Sequence, residues 1–373
     1  MRLIHEDNLE DIAVGAAILG AGGGGDPYIG KLMAQQAIRT HGPVKLISLE
    51  ELEDDDLVIT TGMMGAPTVM IEKLPRGDEI GNACRALAAH LGRPVTAVMT
   101  YEAGGLNSTI PFTFAASSGL PLVDADGMGR AFPEIQMVTM TLHSISATPM
   151  TIADEKGNVS LITTINNRWT ERLARAITVE MGGSTMVAMY AMTGAEAKRA
   201  SIPATISLIE RIGLRLREAR TLKRGPIQTV QDETNGFRIF NGKIVDLSRR
   251  TKGGFVRGSA TLTGMDEDRG RTLELRFQNE HLVAIRDGEI VVSVPDLITL
   301  LDAQTGEPIT TEGMRYGLRA VVLGIPCDPQ WRTAAGLELV GPKYFGYQVD
   351  FVPVEQRFGQ QAFATHQAPA WQP

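Results

Sequence analysis

Cysteines, aromatic residues and long apolar runs are all scarce in this sequence. Its 373 residues include two cysteines, Cys84 and Cys327, which form no CxxC pattern, and only 5% aromatic residues. Two distant cysteines leave one disulfide conceivable, but reduced thiols are the simpler expectation. The roughly 18 consecutive apolar residues that a membrane-spanning helix needs do not occur. The sequence therefore gives no sign of a disulfide framework or a membrane span.

Positive charge is also limited, because 36 Lys and Arg stand against 43 Asp and Glu and give a net charge of −7. Nucleic-acid binding depends on clustered Lys and Arg, so a general nucleic-acid partner is not expected. The first residues, MRLIHEDNLEDI, lack the basic stretch and apolar segment of an export signal. We expect a soluble cytoplasmic protein without nucleic-acid or membrane partners.

The length of the chain predicts more than one domain, since one hydrophobic core usually stops growing at roughly 250–300 residues. We predict four segments from the change of pattern along the sequence. They are an α/β domain with glycine-rich loops (1–167), a helical segment bridging or covering its sheet (168–224), a mostly β domain (225–356) and a loosely ordered tail (357–373).

The first segment alternates short apolar runs with helical stretches of about a dozen residues, which is typical of a mainly parallel sheet. Helices are predicted near 8–19, 28–40, 77–91 and 110–118. The loops TGMMGAP, YEAGGLNS and VDADGMGRAFPE each follow a predicted strand. Ligands collect at the carboxyl ends of strands in open α/β sheets, so these loops should converge.

Beyond residue 225 the sequence consists of short alternating strands with Gly, Asp and Asn turns. An NG turn at Asn241 and Gly242 and a DG turn at Asp287 and Gly288 are the strongest hairpin signals. This pattern predicts a barrel or a sandwich. The polar turns between these strands, including RFQNEHL, are interpreted as part of that framework.

A glycine loop between the first two predicted helices contains Gly22, Gly23, Gly24 and Gly25, followed by Asp26. Phosphate binding is one interpretation, but the loop lacks GK[ST] and a clear preceding strand. A second is that the bare backbone lies against a small-molecule ligand while Asp26 caps the next helix. A plain tight turn is the third. We assign all five residues to substrate binding.

Two carboxylates, Asp124 and Asp126, end the apolar run of LVDADGMGRAFPE and would share one side of a continuing strand. Such a pair can bind a divalent metal, act as general acid and base, or hold a urea-like N–H pair. An Asp-Gly turn bonded to its own backbone is the alternative. Arg130, one turn later, could neutralise an Asp or clamp a substrate carboxylate.

Further candidates lie in neighbouring loops. Glu102 and Asn107 flank a Gly-Gly pair in YEAGGLNS and suit hydrogen bonding to a polar heterocycle, or alternatively an Asx-stabilised loop. Met63 and Met64 could line the pocket or fill the core, and His143 could reach the site. Glu102 joins the two aspartates as a catalytic candidate, and the others are assigned to substrate binding.

Nucleophile and metal motifs give little support for other chemistry. Cys84, near the start of a predicted helix, could be a nucleophile, although an inert buried thiol is the more usual outcome. No HxH, HExxH or Cys/His ligand spacing occurs in the sequence. No cofactor is assigned, and a divalent metal on Asp124 and Asp126 stays a variant.

Several motifs together resemble the S-methyl thiohydantoin desulfurase family, bacterial proteins associated with hydantoinases and oxoprolinases. The similar segments in the first half are LGAGGGGDPYIGKLMA, GMMGAPTV, EAGGLNS, VDADGMGRAFPE and ATPMTIADEKGN. Those in the second half are GKIVDLSRRTKGGFVRG, FQNEHL, VPDLI, LDAQTGEPI, WRTAAGLELVGP and FGYQVDFVPVE. The resemblance covers nearly the whole chain.

The resemblance implies an N-terminal α/β domain, a mostly β C-terminal domain and a hydrolase that converts an S-methylated thiohydantoin into hydantoin and methanethiol. The competing hypothesis is a non-catalytic accessory subunit or ligand-binding protein of a hydantoinase system. A nucleotide-dependent reaction at the glycine loop is a third. The expected partners are a small heterocycle, a second copy of the chain in a homo-oligomer, and a hydantoinase subunit.

Overall fold

The computed structural model describes residues 1–66, 69, 73 and 75–365, with the backbone alone for 360–365. The first half contains β1 (Arg2–Ile4), α1 (Asn8–Leu19), α2 (Tyr28–His41), β2 (Val44–Ile47), β3 (Leu57–Gly65), α3 (Glu79–Leu91), β4 (Ala97–Thr100), α4 (Ile110–Ser118), β5 (Leu122–Val123), β6 (Ala125–Asp126), α5 (Thr139–Leu142), β7 (Met150–Ala153) and β8 (Val159–Ile162). Predicted and observed helices coincide within two residues at each end.

The second half begins with α6 (Asn167–Glu180), β9 (Ser184–Thr193), α7 (Gly194–Ala200), β10 (Ile202–Pro203), α8 (Thr205–Thr221) and α9 (Pro226–Thr234). It continues with β11 (Phe237–Lys252), β12 (Phe255–Gly264), β13 (Thr272–Gln278), β14 (Glu280–Arg286), β15 (Glu289–Ser293), β16 (Leu297–Asp302), β17 (Pro308–Ile309), β18 (Arg319–Ile325), α10 (Ala334–Val340) and α11 (Val354–Thr365).

The N-terminal sheet has eight strands in the order β1-β2-β5-β4-β3-β9-β7-β8. Its four strands β2, β5, β4 and β3 run parallel, as the alternating pattern of apolar runs and helices predicts. The strands β1, β9, β7 and β8 pair antiparallel. The predicted α/β class is confirmed.

One strand of this sheet, β9, lies inside the segment predicted to be helical. Its sequence, STMVAMYAMT, is buried along almost its whole length and inserts between β3 and β7. A strand buried on both faces shows no period-two alternation, and its Met and Ala residues favour helices as well. The prediction of an all-helical segment over 168–224 was therefore wrong at these ten residues.

The C-terminal domain is built on an eight-stranded antiparallel sheet in the order β15-β14-β13-β12-β11-β18-β16-β17. This confirms the mostly β prediction. The DG turn joins β14 to β15, with positive φ at Asp287 and Gly288. The predicted NG turn was wrong, because Gly242 lies inside the 16-residue strand β11. A Cβ at Gly242 would come within 2.7 Å of the Thr263 carbonyl oxygen, so packing explains this glycine.

The two halves are joined by direct contacts. Leu282, Leu297 and Trp331 belong to the same buried cluster as the N-terminal sheet. The Thr299 hydroxyl donates to the Ile18 carbonyl at 2.8 Å, and the Trp331 indole N–H donates to the Met128 carbonyl at 2.8 Å. The side-chain environment of the N-terminal loops therefore includes residues of the second half.

The end of the chain differs from its prediction. Residues 357–365, predicted to be loosely ordered, belong to helix α11, while residues 366–373 lie outside the described residues. In the described part of the chain, none of the helices has the length and apolar character needed to cross a membrane.

Candidate functional site

A cleft of about 400 Å³ lies where the N-terminal loops meet the C-terminal sheet. Its lining comes from the glycine loop (Gly24), the end of β3 (Met63, Met64, Gly65), the segment after β4 (Tyr101, Glu102, Asn107), the loop 132–135, and Arg175, Asn279 and Glu280. The three loops predicted to converge thus contribute to one cavity. Loops of one half alone would leave it open toward β14.

Glu102 is placed in the cleft by the turn that follows β4. The Thr100 hydroxyl donates to the Glu102 and Asn107 carbonyls at 2.9 and 2.8 Å and closes this turn. The Glu102 side chain is almost completely buried and accepts a 2.5 Å hydrogen bond from Asn107 Nδ2. The structure therefore brings Glu102 and Asn107 together, as the Gly-Gly loop between them allows.

Asn107 also ties this turn to the end of β3. Its Oδ1 accepts from the Met63 N–H at 2.6 Å, and its Nδ2 lies 2.7 Å from the Tyr101 hydroxyl. Tyr101 in turn donates to the Met63 carbonyl. Met63 and Met64 are buried in the core and also contribute to the cleft wall. This network fixes the orientation of the Glu102 carboxyl group.

Glu280, a residue missed by the sequence analysis, enters the cleft from the C-terminal half. It opens β14 immediately after Asn279, whose φ of 59° bends the chain between β13 and β14. Glu280 Oε1 accepts from the Gly24 N–H at 3.1 Å, while its buried Oε2 has no partner among the described residues. One carboxylate oxygen is thus held by the glycine loop and the other is free.

The two carboxyl groups have raised pKa values for a shared reason. Burial raises the pKa of Glu102 well above its usual range, and the negative charge of Glu280 raises it further. Burial also raises the pKa of Glu280 to about 8, opposed by the Gly24 N–H and by the positive charge of Arg130. Glu280 therefore ionises before Glu102, and one carboxylate beside one carboxylic acid is the favoured state above pH 8.

The glycines of the loop serve close packing between the two halves. A Cβ at Gly23 would come within 2.2 Å of Glu280 Oε1, and a Cβ at Gly22 would overlap the His281 ring. Gly24 and Gly25 have φ values of 69° and 79°, in the left-handed region. The amides of Gly23 and Gly24 already donate to Gly20 and Glu280. Not all four glycine amides are therefore available to a substrate, contrary to the expectation.

Behind Glu280 lies a buried layer formed by Arg130 and His281. Arg130 donates to the carbonyls of Ala131, Pro295 and Asp296, and burial lowers its pKa to about 10. His281 donates from Nδ1 to the Ile298 carbonyl, and burial lowers its pKa to about 4, so the ring is neutral at pH 7. Arg130 supports the junction from behind the cleft and does not reach a substrate carboxylate.

The expectation that Asp124 and Asp126 face one target was wrong. Asp124 accepts from the Ser207 N–H and hydroxyl at 3.0 and 2.5 Å, at the start of α8. Oδ2 of Asp126 instead accepts from the amides of Ala103, Met128 and Gly129. The regular alternation of a strand stops at Val123, and β6 pairs with β10 outside the main sheet. The two carboxylates therefore have separate structural partners, and Asp126 alone supports the loop of Glu102.

Three other candidates lie outside the cleft lining. Asp26 Oδ1 accepts from the Tyr28 N–H at 2.9 Å at the start of α2, which matches the capping alternative. His143 Nε2 is 3.2 Å from Gln330 Oε1. Cys84 is fully buried against Thr61, and burial raises the pKa of its thiol to about 12, as for an inert buried thiol.

The residues around the cleft offer limited metal-binding chemistry. Among the described residues, there is no group of three or more His, Cys, Asp and Glu side chains placed to hold a metal ion. The variant in which Asp124 and Asp126 share a divalent metal also lacks its geometry, because their oxygens accept hydrogen bonds in different places.

Comparisons with known proteins identify the family. The S-Me-THD-like N-terminal domain matches residues 7–164, and the S-Me-THD-like C-terminal domain matches residues 165–354. A crystal structure of a protein from Chromobacterium violaceum is similar in fold, with a TM-score of 0.80 at 22% identity over 95% of this chain and 100% of that one. No curated protein matches significantly. The chain belongs to the S-Me-THD-like family, the S-methyl thiohydantoin desulfurase family that its motifs resemble.

Proposed function

We propose that this protein hydrolyses an S-methylated thiohydantoin or a related cyclic ureide in the cleft between its two halves, releasing methanethiol. The observation that supports this most is the pair of buried carboxyl groups, Glu102 and Glu280, that line one cavity and have raised pKa values. A general base and a general acid of this kind are what hydrolysis of a thioimidate carbon requires. Membership of the desulfurase family supports the same reaction.

Glu280 is the general base of this proposal. Its pKa, raised to about 8, is the lower of the pair, and the Gly24 N–H stabilises its ionised form. Its Oε2 has no other partner in the described part of the chain, so it can accept a proton from water. The attacking oxygen of that water forms a bond to the ring carbon that carries the methylthio group.

Glu102 is the general acid. Burial and the charge of Glu280 keep it protonated, and Asn107 holds its orientation. When the tetrahedral centre collapses, the C–S bond breaks and the proton of Glu102 passes to the departing sulfur. The second water proton then returns Glu102 to its acid form as the C=O bond forms, and Glu280 loses its proton to solvent. One water is consumed, and hydantoin and methanethiol are produced.

The test is to supply the purified protein with S-methyl thiohydantoins that carry different 5-substituents. Methanethiol is measured with a thiol reagent, and hydantoin by mass spectrometry in water enriched in ¹⁸O. We expect one labelled oxygen in each hydantoin. Absence of methanethiol from every ring, combined with tight hydantoin binding, would instead support the non-catalytic binding protein.

Glu280→Gln should lower kcat by about 10²- to 10⁴-fold, because the variant has no base. In the unaltered protein, kcat/KM should rise with pH to a plateau above about 8, the pKa of Glu280. Glu134→Gln is the matched control in the same cleft, since Glu134 bonds to Tyr344 and Gln136 instead. Equal effects of the two substitutions would contradict the assignment of Glu280.

A further inference from the structure

The exposed apolar side chains of this protein are concentrated on one face. Of twelve exposed large hydrophobic side chains in the described part of the chain, six lie between residues 159 and 179. They are Val159 and Leu161 on β8, Ile165 in the connection, and Trp169, Leu173 and Val179 on α6. Ile165 is 86% exposed and the other five are 40–48% exposed. We name these six residues the β8–α6 face.

The backbone of this face is also open. β8 is the last strand of the N-terminal sheet and pairs only with β7, so its other edge has free amides and carbonyls. Edge strands are usually blocked by charges, proline or a covering element, and VSLI contains none of these. The opposite edge is protected, since Arg2 of β1 bonds to Ser207 and Glu210 of α8.

The charges on α6 run against its own dipole. Arg168 and Arg172 lie near the amino end and Glu180 at the carboxyl end, although helix dipoles favour the opposite arrangement. None of these three side chains forms an ion pair with another described residue. An antiparallel copy of α6 would place Glu180 of one helix beside Arg168 and Arg172 of the other, and would compensate both ends.

From these observations we infer that the β8–α6 face is the interface of a homodimer with a two-fold axis, in which β8 pairs antiparallel with β8 of a second copy. Such pairing continues the sheet from one copy to the other. Because α6 packs against β7 and β8, the same axis brings the two α6 helices side by side and antiparallel. An isologous contact requires a surface that is complementary to itself, which the apolar centre and opposite charged ends provide.

The mass in solution gives the first test. Light scattering after size-exclusion chromatography should show twice the chain mass of 40.3 kDa. Leu161→Asp should shift the protein to monomer, whereas Leu222→Asp, at an equally exposed leucine outside the face, should not. A monomer at every concentration tested, or a dimer unaffected by Leu161→Asp, would overturn the inference.

Charge reversal gives the sharper test. Arg172→Glu and Glu180→Arg should each weaken the dimer by about tenfold or more, because each places like charges opposite one another. Mixing the two single variants should restore association, since both contacts of the mixed dimer then join opposite charges. Arg224→Glu is the control for a general charge effect, because Arg224 is exposed far from this face.

The expected results separate a two-fold contact from other arrangements. Circular dichroism of each variant checks that the fold is retained. A mixture that stays as monomeric as its components would exclude the antiparallel placement of α6 and overturn the inference. Turnover in the cleft is not part of this test, so the dimer stands or fails independently of the desulfurase proposal.

Discussion

Single side chains at the domain junction are held more by packing than by bonding. Gly23 has no φ constraint of the left-handed kind, yet its Cα faces the Glu280 carboxyl group so closely that no larger residue fits. The same contact holds Glu280 beside the Gly24 amide. The position of the proposed base therefore depends on the absence of one methyl group in the opposite half of the chain.

Gly23→Ala should lower kcat/KM by about tenfold or more, because a Cβ 2.2 Å from Glu280 Oε1 must displace that carboxyl group. The measurement is the rate of methanethiol release together with the melting temperature. Gly225→Ala is the matched control, since Gly225 has a φ of −63° and a Cβ there would meet only Gln228 at 3.7 Å. Unchanged kinetics for Gly23→Ala would refute the steric role of this glycine.

At the scale of the element, Asp124 acts as a cap for α8. Ala204, at the N-cap position, has a φ of 59° and no capping side chain, and Asp124 supplies the missing acceptor from the neighbouring segment. A carboxylate that accepts from the first turn of a helix also complements the positive end of its dipole. This structural use explains why the Asp124–Asp126 motif resembled a catalytic pair in sequence.

Asp124→Ala should reduce the free energy of unfolding by about 1–2 kcal/mol, the usual effect of losing a helix cap. Turnover per folded molecule should stay within about twofold, because Asp124 has no contact with the cleft. Urea unfolding and steady-state kinetics measure the two effects, and Asp124→Asn, which keeps an acceptor oxygen, should recover most of the stability. A loss of turnover as large as that of Glu280→Gln would return Asp124 to the list of catalytic residues.

At the scale of the whole molecule, the halves are interleaved. β9 lies after residue 165 in sequence, yet it is hydrogen-bonded between β3 and β7 of the N-terminal sheet. The cleft likewise combines Glu102 from the first half with Glu280 from the second. The two S-Me-THD-like segments therefore share both a sheet and a site.

A fragment of residues 1–167 should fail to fold, since removing β9 separates β3 from β7 and exposes the buried face of both strands. A fragment of residues 1–224, which retains β9 and α8, should unfold cooperatively in urea. Circular dichroism and the sharpness of the unfolding transition distinguish the two. A cooperative transition of the shorter fragment would show that β7 and β8 do not depend on β9.

Local pattern determined much of this protein: helices α1 to α4, the parallel strands between them, the DG turn and the convergence of strand-end loops. Each follows from short-range periodicity, capping and turn chemistry, which neighbouring residues decide. Glu102 and Asn107 were found for the same reason, because both follow a strand in one loop.

Tertiary structure decided the rest. Glu280 and β9 could not be recognised from the sequence, since burial on both faces removes the periodic signal, and a glutamate in a β segment gives no indication that a glycine loop some 256 residues away will pack against it. The separation of Asp124 from Asp126 also required the fold, because a strand break at Val123 sends two neighbouring carboxylates to different backbone partners.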